Sequence, residues 1–273
     1  MVRKPKLQTY HRFLDESGDT TFFGKGKVDI VGQNGVSKTF SLGMVHIKQE
    51  LAVTRQRIVE LQNYIVNDPY FKGLPSVQKR QERGGFFFHA KDDYPDVRKV
   101  FFDFLRELPF SLEVFVGRKI SRLFIAKHNA NEDEFYADLS SHLLKNKMNK
   151  ERLVLNVAAR GNSTRMAVLE SAARKAKQRF LAKNHGSETR CKIVFNVQTP
   201  LSEPLLAIPD YALWAVQRVF EAGETRYYDA LFEAKKIPLV VDLYDRSRYQ
   251  NWGNYYSYPS KRLTANNKII LIT

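Results

Sequence analysis

Segments patterned like β-strands alternate along this chain with segments patterned like α-helices, and this alternation limits the fold more than any other feature. Short apolar runs predict strands over 9–15, 20–31, 37–46, 111–119, 152–159 and 192–197. Apolar residues at helical spacing predict helices over 47–66, 95–108, 132–144, 163–182 and 204–222. We therefore expect an α/β fold, in which helices cover the faces of a sheet.

A turn and an insertion refine this arrangement. Asn34-Gly35 is a strong turn signal because both residues tolerate positive φ, so 20–31 and 37–46 are expected to form a β-hairpin. The segment 71–85 is basic and irregular, and we assign it to a helical insertion at about 51–85. No linker or internal repeat divides the chain, which predicts one domain over residues 1–273.

The charge balance favours a polyanionic partner and not a membrane. The 273 residues include 44 Lys and Arg against 29 Asp and Glu, a net charge of +15, and cations that neutralise phosphates release condensed counterions. No apolar run is long enough to span a membrane and no secretory signal is evident, so we expect a cytoplasmic protein. The one cysteine, Cys191, excludes an internal disulfide and a zinc cluster built on thiolates. The sequence contains no Walker loop and no dinucleotide-binding glycine motif.

The first candidate site lies where an early strand ends, at Asp15-Glu16-Ser17-Gly18. A carboxylate at the end of a strand lies on the rim of the sheet, where a metal ion and a phosphate can approach. Gly18 lets the backbone turn away without a side chain that blocks this approach. The alternative is structural, with Asp15 capping its own loop in an Asx-turn.

The second candidate is Asp210, which stands among apolar residues of the predicted helix 204–222. A carboxylate embedded in an apolar helix costs roughly several kcal/mol unless a partner such as a metal ion compensates its charge. The alternative is that Pro209 opens the helix and that Asp210 merely complements the helix dipole in the first turn.

Three motifs, taken in order, resemble a known family. They are Asp15-Glu16-Ser17-Gly18 after the first strand, Phe88-His89-Ala90 in the interior, and Asp210-Tyr211-Ala212-Leu213-Trp214-Ala215 on the late helix. Together they resemble the domain of unknown function 3800 family of bacterial and phage proteins, in the ribonuclease-H-like superfamily, over about residues 10–244. The resemblance implies a ribonuclease-H-like mixed sheet with helices on both faces and a metal-dependent site.

The resemblance also implies roles for particular residues. Asp15, helped by Glu16, would match the acid of the first strand, and Asp210 would match the acid of the late helix. Asp15 and Asp210 are then the expected ligands of Mg²⁺ or Mn²⁺, and His89 is expected near the site as an accessory residue.

The chain departs from the family pattern in ways that bear on activity. Ala207 and Pro209 replace the usual Gln and Ala before the helix acid, and the strand 152–159 contains no acid. Asn156 in that strand either stands where an active relative places a carboxylate or packs, hydrogen-bonded, away from any metal. Because a two-metal site needs about three or four carboxylates, a one-metal or degenerate site is an alternative.

Basic residues follow the same strand. Arg160 and Arg165 flank a predicted helix start, where backbone N–H groups can hold a phosphate. The residues expected to bind nucleic acid are Arg160, Arg165, Arg174, Lys175, Lys177 and Arg179. The alternative is a capped surface helix with solvated side chains.

Aromatic and basic residues interleave in the C-terminal segment, about 244–273. Rings between cations suit stacking of unpaired bases. Alternatively, the aromatic side chains cover the sheet or form a surface for a protein partner.

These features together predict a divalent-metal-dependent nuclease or nucleic-acid-processing enzyme, with phage defence as one setting. Two alternatives remain. One is a catalytically degenerate nucleic-acid-binding module, and the other is a subunit of a larger nucleoprotein assembly. Metal dependence separates the enzyme from the binder, because a binder does not require Mg²⁺ or Mn²⁺.

Overall fold

A seven-stranded mixed sheet forms the centre of the protein in a computed structural model that describes residues 8–159, 166–184, 189, 191–245 and 253–270. The strands are β1 (Thr9–Gly18), β2 (Thr39–Ile47), β3 (Phe110–Arg118), β4 (Arg152–Ala158), β5 (Lys192–Gln198), β6 (Leu239–Asp242) and β7 (Tyr255–Ser257). Their order across the sheet is β5-β4-β1-β2-β3-β6-β7. β2 and β7 run antiparallel to the other five. The expected α/β class is confirmed.

Helices cover both faces of this sheet. They are α1 (Leu51–Asn67), α2 (Pro75–Glu82), α3 (Pro95–Glu107), α4 (Ser121–His128), α5 (Glu132–Leu144), α6 (Met166–Lys183), α7 (Ala207–Ala222) and α8 (Arg226–Glu233). Alternating residues of β1 separate two cores, with Phe13 on the face of α7 and Leu14 on the face of α5. None of the described helices is both long enough and apolar enough to cross a membrane.

The predicted hairpin between 20–31 and 37–46 is wrong, because β2 pairs with β1 instead. Asn34 does adopt the positive φ of a turn, at 50°. The apolar residues before Asn34 form a loop whose side chains pack into the core. Phe22, for example, stacks on Phe124 of α4 with ring centroids 3.8 Å apart. Apolar side chains that pack as a loop produce the same sequence pattern as a short strand.

The region around 51–85 is more regular than predicted. It contains α1 and also α2, although 71–85 was expected to be irregular. The sequence analysis predicted α5 with its observed bounds but missed α4, α8 and the short strands β6 and β7. The loop between α2 and α3 is the part of this region that reaches the candidate site.

Candidate functional site

Small residues flank Asp15 at the carboxyl end of β1. In the antiparallel register Asp15 is opposite Gly43 of β2, and continuing the parallel register of β1 with β4 places Ala158 on its other side. A Cβ on Gly43 would lie 3.2 Å from Leu213 Cδ1 of α7. The absence of a side chain at Gly43 therefore lets α7 pack closely over β1 and β2 near Asp15.

The first turn of α7 brings Asp210 to the same place. Apolar side chains on this helix, such as Ile208 and Leu213, are fully buried against the sheet, and burial of each contributes about 1.5–3 kcal/mol. Asp210 Oδ2 accepts a hydrogen bond from the backbone N–H of Ala90 at 2.7 Å. The helix is thus held to the sheet by its apolar side and to the loop after α2 by Asp210.

Desolvation raises the pKa values of both carboxyl groups, and repulsion by Asp210 adds to the shift of Asp15. Burial raises the pKa of Asp15 well above its usual range, and the charge of Asp210 raises it further. Burial raises the pKa of Asp210 to about 6, although His89 and the hydrogen bond from Ala90 act in the opposite direction. Such an interaction requires the two carboxylates to be neighbours. The structure therefore brings together the two acids that the sequence analysis proposed as metal ligands.

Each of these carboxylates has one oxygen in a hydrogen bond. Asp15 Oδ1 accepts from the backbone N–H of Glu16 at 2.8 Å, and Asp210 Oδ2 accepts from Ala90. Within the described parts of the chain, no hydrogen bond or ion pair reaches the second oxygen of either group. Two uncompensated oxygens on carboxylates that repel each other suit a hard cation such as Mg²⁺ or Mn²⁺.

The pair does not by itself make a complete ligand set. Across the described ranges, no group of three or more His, Cys, Asp or Glu side chains is arranged to hold a metal ion. Glu16 is the next residue on β1, and both Glu16 and Asp210 line the same cleft. A cation on the pair would therefore complete its coordination with water or substrate oxygens.

The loop between α2 and α3 is fixed by a buried carboxylate. Asp93 is 1% exposed and accepts hydrogen bonds from Arg80 of α2, from the Tyr211 hydroxyl of α7, and from the His89 backbone N–H at 2.9 Å. These contacts hold the Ala90 N–H against α7. The sequence analysis missed Asp93 and Arg80; the available signal was a carboxylate close to the apolar run 86–90.

A cleft of about 580 Å³ opens beside the carboxylate pair. Its lining includes Glu16, His89, Lys91, Asp210, Trp214 and Gln217. A second cavity of about 120 Å³ is lined by Asp15, Glu16, Gly18, Ala158 and Ala159. Because the two acids line these two openings, the pair is accessible from both the α7 side and the β4 side.

His89 lies in the larger cleft, as the sequence analysis expected. Its side chain is 35% exposed, and its Nδ1 lies 3.2 Å from Asp92 Oδ2. Its charge also acts on the pKa of Asp210, so the ring is close to that carboxylate. His89 is therefore a neighbour of the pair.

Asn156 lies in the sheet and not beside the pair. It is opposite Phe13, two residues before the position level with Asp15, which is about 7 Å along the strand. Its Nδ2 donates to the Arg12 carbonyl at 3.2 Å, and its Oδ1 accepts from Asn196 at 3.0 Å. The structure favours the structural interpretation of Asn156, and the residue level with Asp15 is Ala158.

Two of the residues predicted to bind phosphate are already paired with acids of α5. Lys175 forms an ion pair with Glu134, and Arg179 forms one with Asp138. α6 packs on the face of the sheet opposite to α7. These ion pairs hold α6 to α5, and contact of Lys175 and Arg179 with nucleic acid stays a prediction.

The other four predicted phosphate-binding residues have different positions. Arg174 and Lys177 are exposed on α6. Arg160 and Arg165 lie outside the described residues. For these four residues phosphate contact stays a prediction.

The described part of the C-terminal segment packs on the fold. Tyr244 and Tyr256 are each 3% exposed, and the Tyr244 hydroxyl donates to Asp138 Oδ2 at 2.6 Å. These two rings cover the sheet and do not offer a stacking surface. Residues 246–252 of the segment lie outside the described residues, so their contact with bases or with a protein partner stays a prediction.

The chain matches no protein-family model and no curated protein. The carboxylate pair, the cleft beside it and the sheet that positions both are the features of the molecule that bear on its function.

Proposed function

We propose that this protein is a divalent-metal-dependent nuclease, or a related nucleic-acid-processing enzyme, of ribonuclease-H-like type. The observation that supports this most strongly is the partly buried pair of Asp15 and Asp210. A fold gains nothing from two neighbouring carboxylates whose pKa values are raised, because the ionised pair is a cost to stability. A bound cation removes that cost, which is why such pairs occur at functional sites.

The sheet supports the same proposal. Three consecutive antiparallel strands, β1 to β3, are followed by β4 and β5 parallel to β1 on its other side. This arrangement fits a ribonuclease-H-like sheet. Ligands of α/β proteins bind at the carboxyl ends of parallel strands where the strand order reverses, and Asp15 lies at that position between β1 and β4.

The residues of the pair and the cleft have separate roles in this proposal. Asp15 and Asp210 hold the ion, and Glu16 orients water or substrate oxygens beside it. A bound divalent cation supplies charge stabilisation at the scissile phosphate and a water of lowered pKa. Lys91, exposed at the cleft, adds positive charge where phosphate oxygens become more negative.

A cleavage assay tests the proposal. Single-stranded RNA, duplex DNA and an RNA–DNA hybrid are incubated with the protein in Mn²⁺, in Mg²⁺ and in EDTA. We expect metal-dependent cleavage of at least one substrate and a loss of about 100-fold or more in Asp15→Asn and Asp210→Asn, because Asn keeps the shape but not the charge. Asp103→Asn, at a partly exposed position of α3, is the matched control. Wild-type rates in both site variants would show that the pair is not the active site.

One observation favours a second candidate, a nucleic-acid-binding module that has lost catalysis. Ala158 and Ala159 stand where β4 could supply a further acid beside Asp15, and a two-metal site needs about three or four carboxylates. This candidate predicts nucleic-acid binding that persists in EDTA and no cleavage in either metal.

A further inference from the structure

Positive charge concentrates at the edge of the sheet opposite to the carboxylate pair. The amino ends of β1, β3, β4, β5 and β6 meet there with the carboxyl end of β2. Thr9 begins β1 at this edge, and Asp15 lies six residues further along the same strand, a distance of about 20 Å. The lysines at or next to this edge are Lys48, Lys145, Lys147, Lys150, Lys183 and Lys192, which we call the amino-edge lysines.

These lysines come together from separate elements of the chain. Lys48 follows β2, and Lys192 is the first residue of β5. Lys147 and Lys150 precede β4, and Lys183 is the last residue of α6. Because the strands between them are paired in register, the fold gathers these charges at one surface.

The charges are close enough to affect one another. Burial lowers the pKa of Lys145, and the charges of Arg179 and Lys183 lower it further. Burial likewise lowers the pKa of His46, and Lys147 and Lys150 are among the four cations that add to the shift. Mutual repulsion of this kind costs stability in the free protein, and a bound polyanion relieves it.

Part of this surface is a polar cleft that suits an anion. A cavity of about 250 Å³ is lined by Lys145, Asn146, Asn149, Arg179, Lys183 and Asn184, together with the ring of Phe180. Side-chain amides beside ammonium groups offer several N–H donors to phosphate oxygens. Carboxylates also lie at this edge. Glu113 is ion-paired with Lys147 at 2.6 Å, and Glu151 accepts a hydrogen bond from the backbone of Gln8.

We propose that the amino-edge lysines form a second nucleic-acid surface, which binds the phosphate backbone away from the carboxylate pair. The surface gathers six lysines, of which Lys147 is ion-paired with Glu113, and its cleft offers amide and ammonium donors. Binding there is electrostatic and independent of sequence. It requires neither the divalent cation nor cleavage, so it holds whether the carboxylate pair is active or degenerate.

The experiment compares two triple variants of equal net charge. Lys145→Gln, Lys183→Gln and Lys192→Gln together remove three amino-edge lysines. Lys25→Gln, Lys72→Gln and Lys79→Gln together remove three exposed lysines elsewhere, and each set changes the net charge from +15 by three. Fluorescence anisotropy with a labelled duplex DNA and a labelled single-stranded RNA, in EDTA and at several salt concentrations, gives the affinity and its log–log salt slope.

We expect the amino-edge variant to bind duplex DNA at least about tenfold more weakly at 100 mM salt, with a slope reduced by about 2–3 units, because about 0.9 unit is lost per phosphate contact. The control variant should stay within about twofold of wild type. Equal weakening in both variants would overturn the proposal, since net charge alone would explain it. Binding of poly-glutamate but of neither nucleic acid would also overturn it.

A stability measurement separates this proposal from a structural role. Lysines at the carboxyl end of α6 can also stabilise the helix by interacting with its dipole. If that were their purpose, the amino-edge variant would melt at a lower temperature than the control and keep the wild-type salt slope, which would contradict the proposal. We expect an unchanged or higher melting temperature, because repelling charges have been removed.

Discussion

Two carboxylates on opposite faces of the sheet, Asp138 and Asp210, have opposite environments. Asp138 of α5 is surrounded by donors, with Lys127 Nζ at 2.8 Å and the Tyr244 hydroxyl at 2.6 Å. Burial acts to raise the pKa of Asp138, but interactions with His128, Lys127 and Tyr244 hold it well below its usual range. Asp210 is partly buried, and desolvation raises its pKa to about 6.

The difference separates a structural carboxylate from a functional one. Asp138 also pairs with Arg179 of α6, so its charge links α4, α5 and α6 and is fully compensated. Asp210 accepts one backbone hydrogen bond and is the neighbour of another acid, Asp15. A carboxylate that the fold leaves uncompensated costs stability. Binding of a ligand is the benefit that explains its presence.

The largest expected effect is the loss of stability when the structural carboxylate, Asp138, is changed. Asp138→Asn removes a charge that compensates Lys127 and Arg179, and we expect a loss of about 3 kcal/mol in the free energy of unfolding. Asp210→Asn at pH 7 without metal should not lose stability, because Asn still accepts from Ala90 and the repulsion is gone. Denaturant unfolding measures both. Asp103→Asn, at a partly exposed ion pair with Lys99 on the helix surface, is the control and should change stability by less than about 0.5 kcal/mol. Equal losses in the Asp138 and Asp210 variants would contradict the distinction.

The pH dependence of stability also distinguishes Asp210 from Asp138. Because the pKa of Asp210 is raised to about 6, the folded state holds its proton more tightly than the unfolded state, whose value is about 3.9. The contribution of this group to stability is therefore full below pH 4 and is lost as the pH rises from about 4 to about 6, by up to about 3 kcal/mol. The lowered pKa of Asp138 has the opposite effect, because its contribution is present above pH 4 and is lost as the pH falls.

Unfolding curves of wild type and Asp210→Asn across pH 4 to 7 isolate this contribution. The titration of groups that do not interact with Asp210, such as His142 with its pKa lowered by burial to about 3, cancels in the difference between the two proteins. We expect the stability of wild type relative to the variant to fall over this range. Parallel curves would mean that Asp210 is compensated in the folded state.

A smaller effect tests which residue of β4 belongs to the site. Ala158→Asp adds a carboxylate level with Asp15 and should tighten Mg²⁺ or Mn²⁺ binding by about tenfold, or about 1.4 kcal/mol. Asn156→Asp is the matched variant two residues earlier, where the side chain is 5% exposed and hydrogen-bonded to Arg12 and Asn196. It should destabilise the protein without a gain in affinity. Calorimetric titration at equal protein concentration measures both, and a gain confined to Asn156→Asp would place the site elsewhere on β4.

The sequence predicted the elements with regular periodicity and the acids that now lie together. α5 shows an uninterrupted helical pattern between clear ends, so its bounds were predictable. Asp15 was recognisable as a carboxylate at the end of an apolar strand, and Asp210 as a carboxylate within an apolar helix. The pairing of β2 with β1 was not predictable, because an apolar loop around Phe22 has the composition of a strand.

The surroundings of the acids were less predictable than the acids themselves. The hydrogen bonds of Asp93 with Arg80 and Tyr211 join three elements that are distant in sequence, and no local pattern marks them. The pairing of Arg179 with Asp138 likewise depends on how α6 packs against α5. A charged residue on a helix has the same sequence pattern whether it meets an acid or solvent, which is why Lys175 and Arg179 were assigned to phosphate.

Isothermal titration of Mn²⁺ into the metal-free protein tests the central claim most directly, namely that Asp15 and Asp210 form an uncompensated pair that binds a divalent cation. The account predicts saturable binding by wild type and by Asp103→Asn, and a loss of at least about tenfold in affinity in Asp15→Asn and in Asp210→Asn. The two site variants should remain folded by circular dichroism. Identical isotherms for wild type and both site variants, or no binding by the wild-type protein, would contradict it.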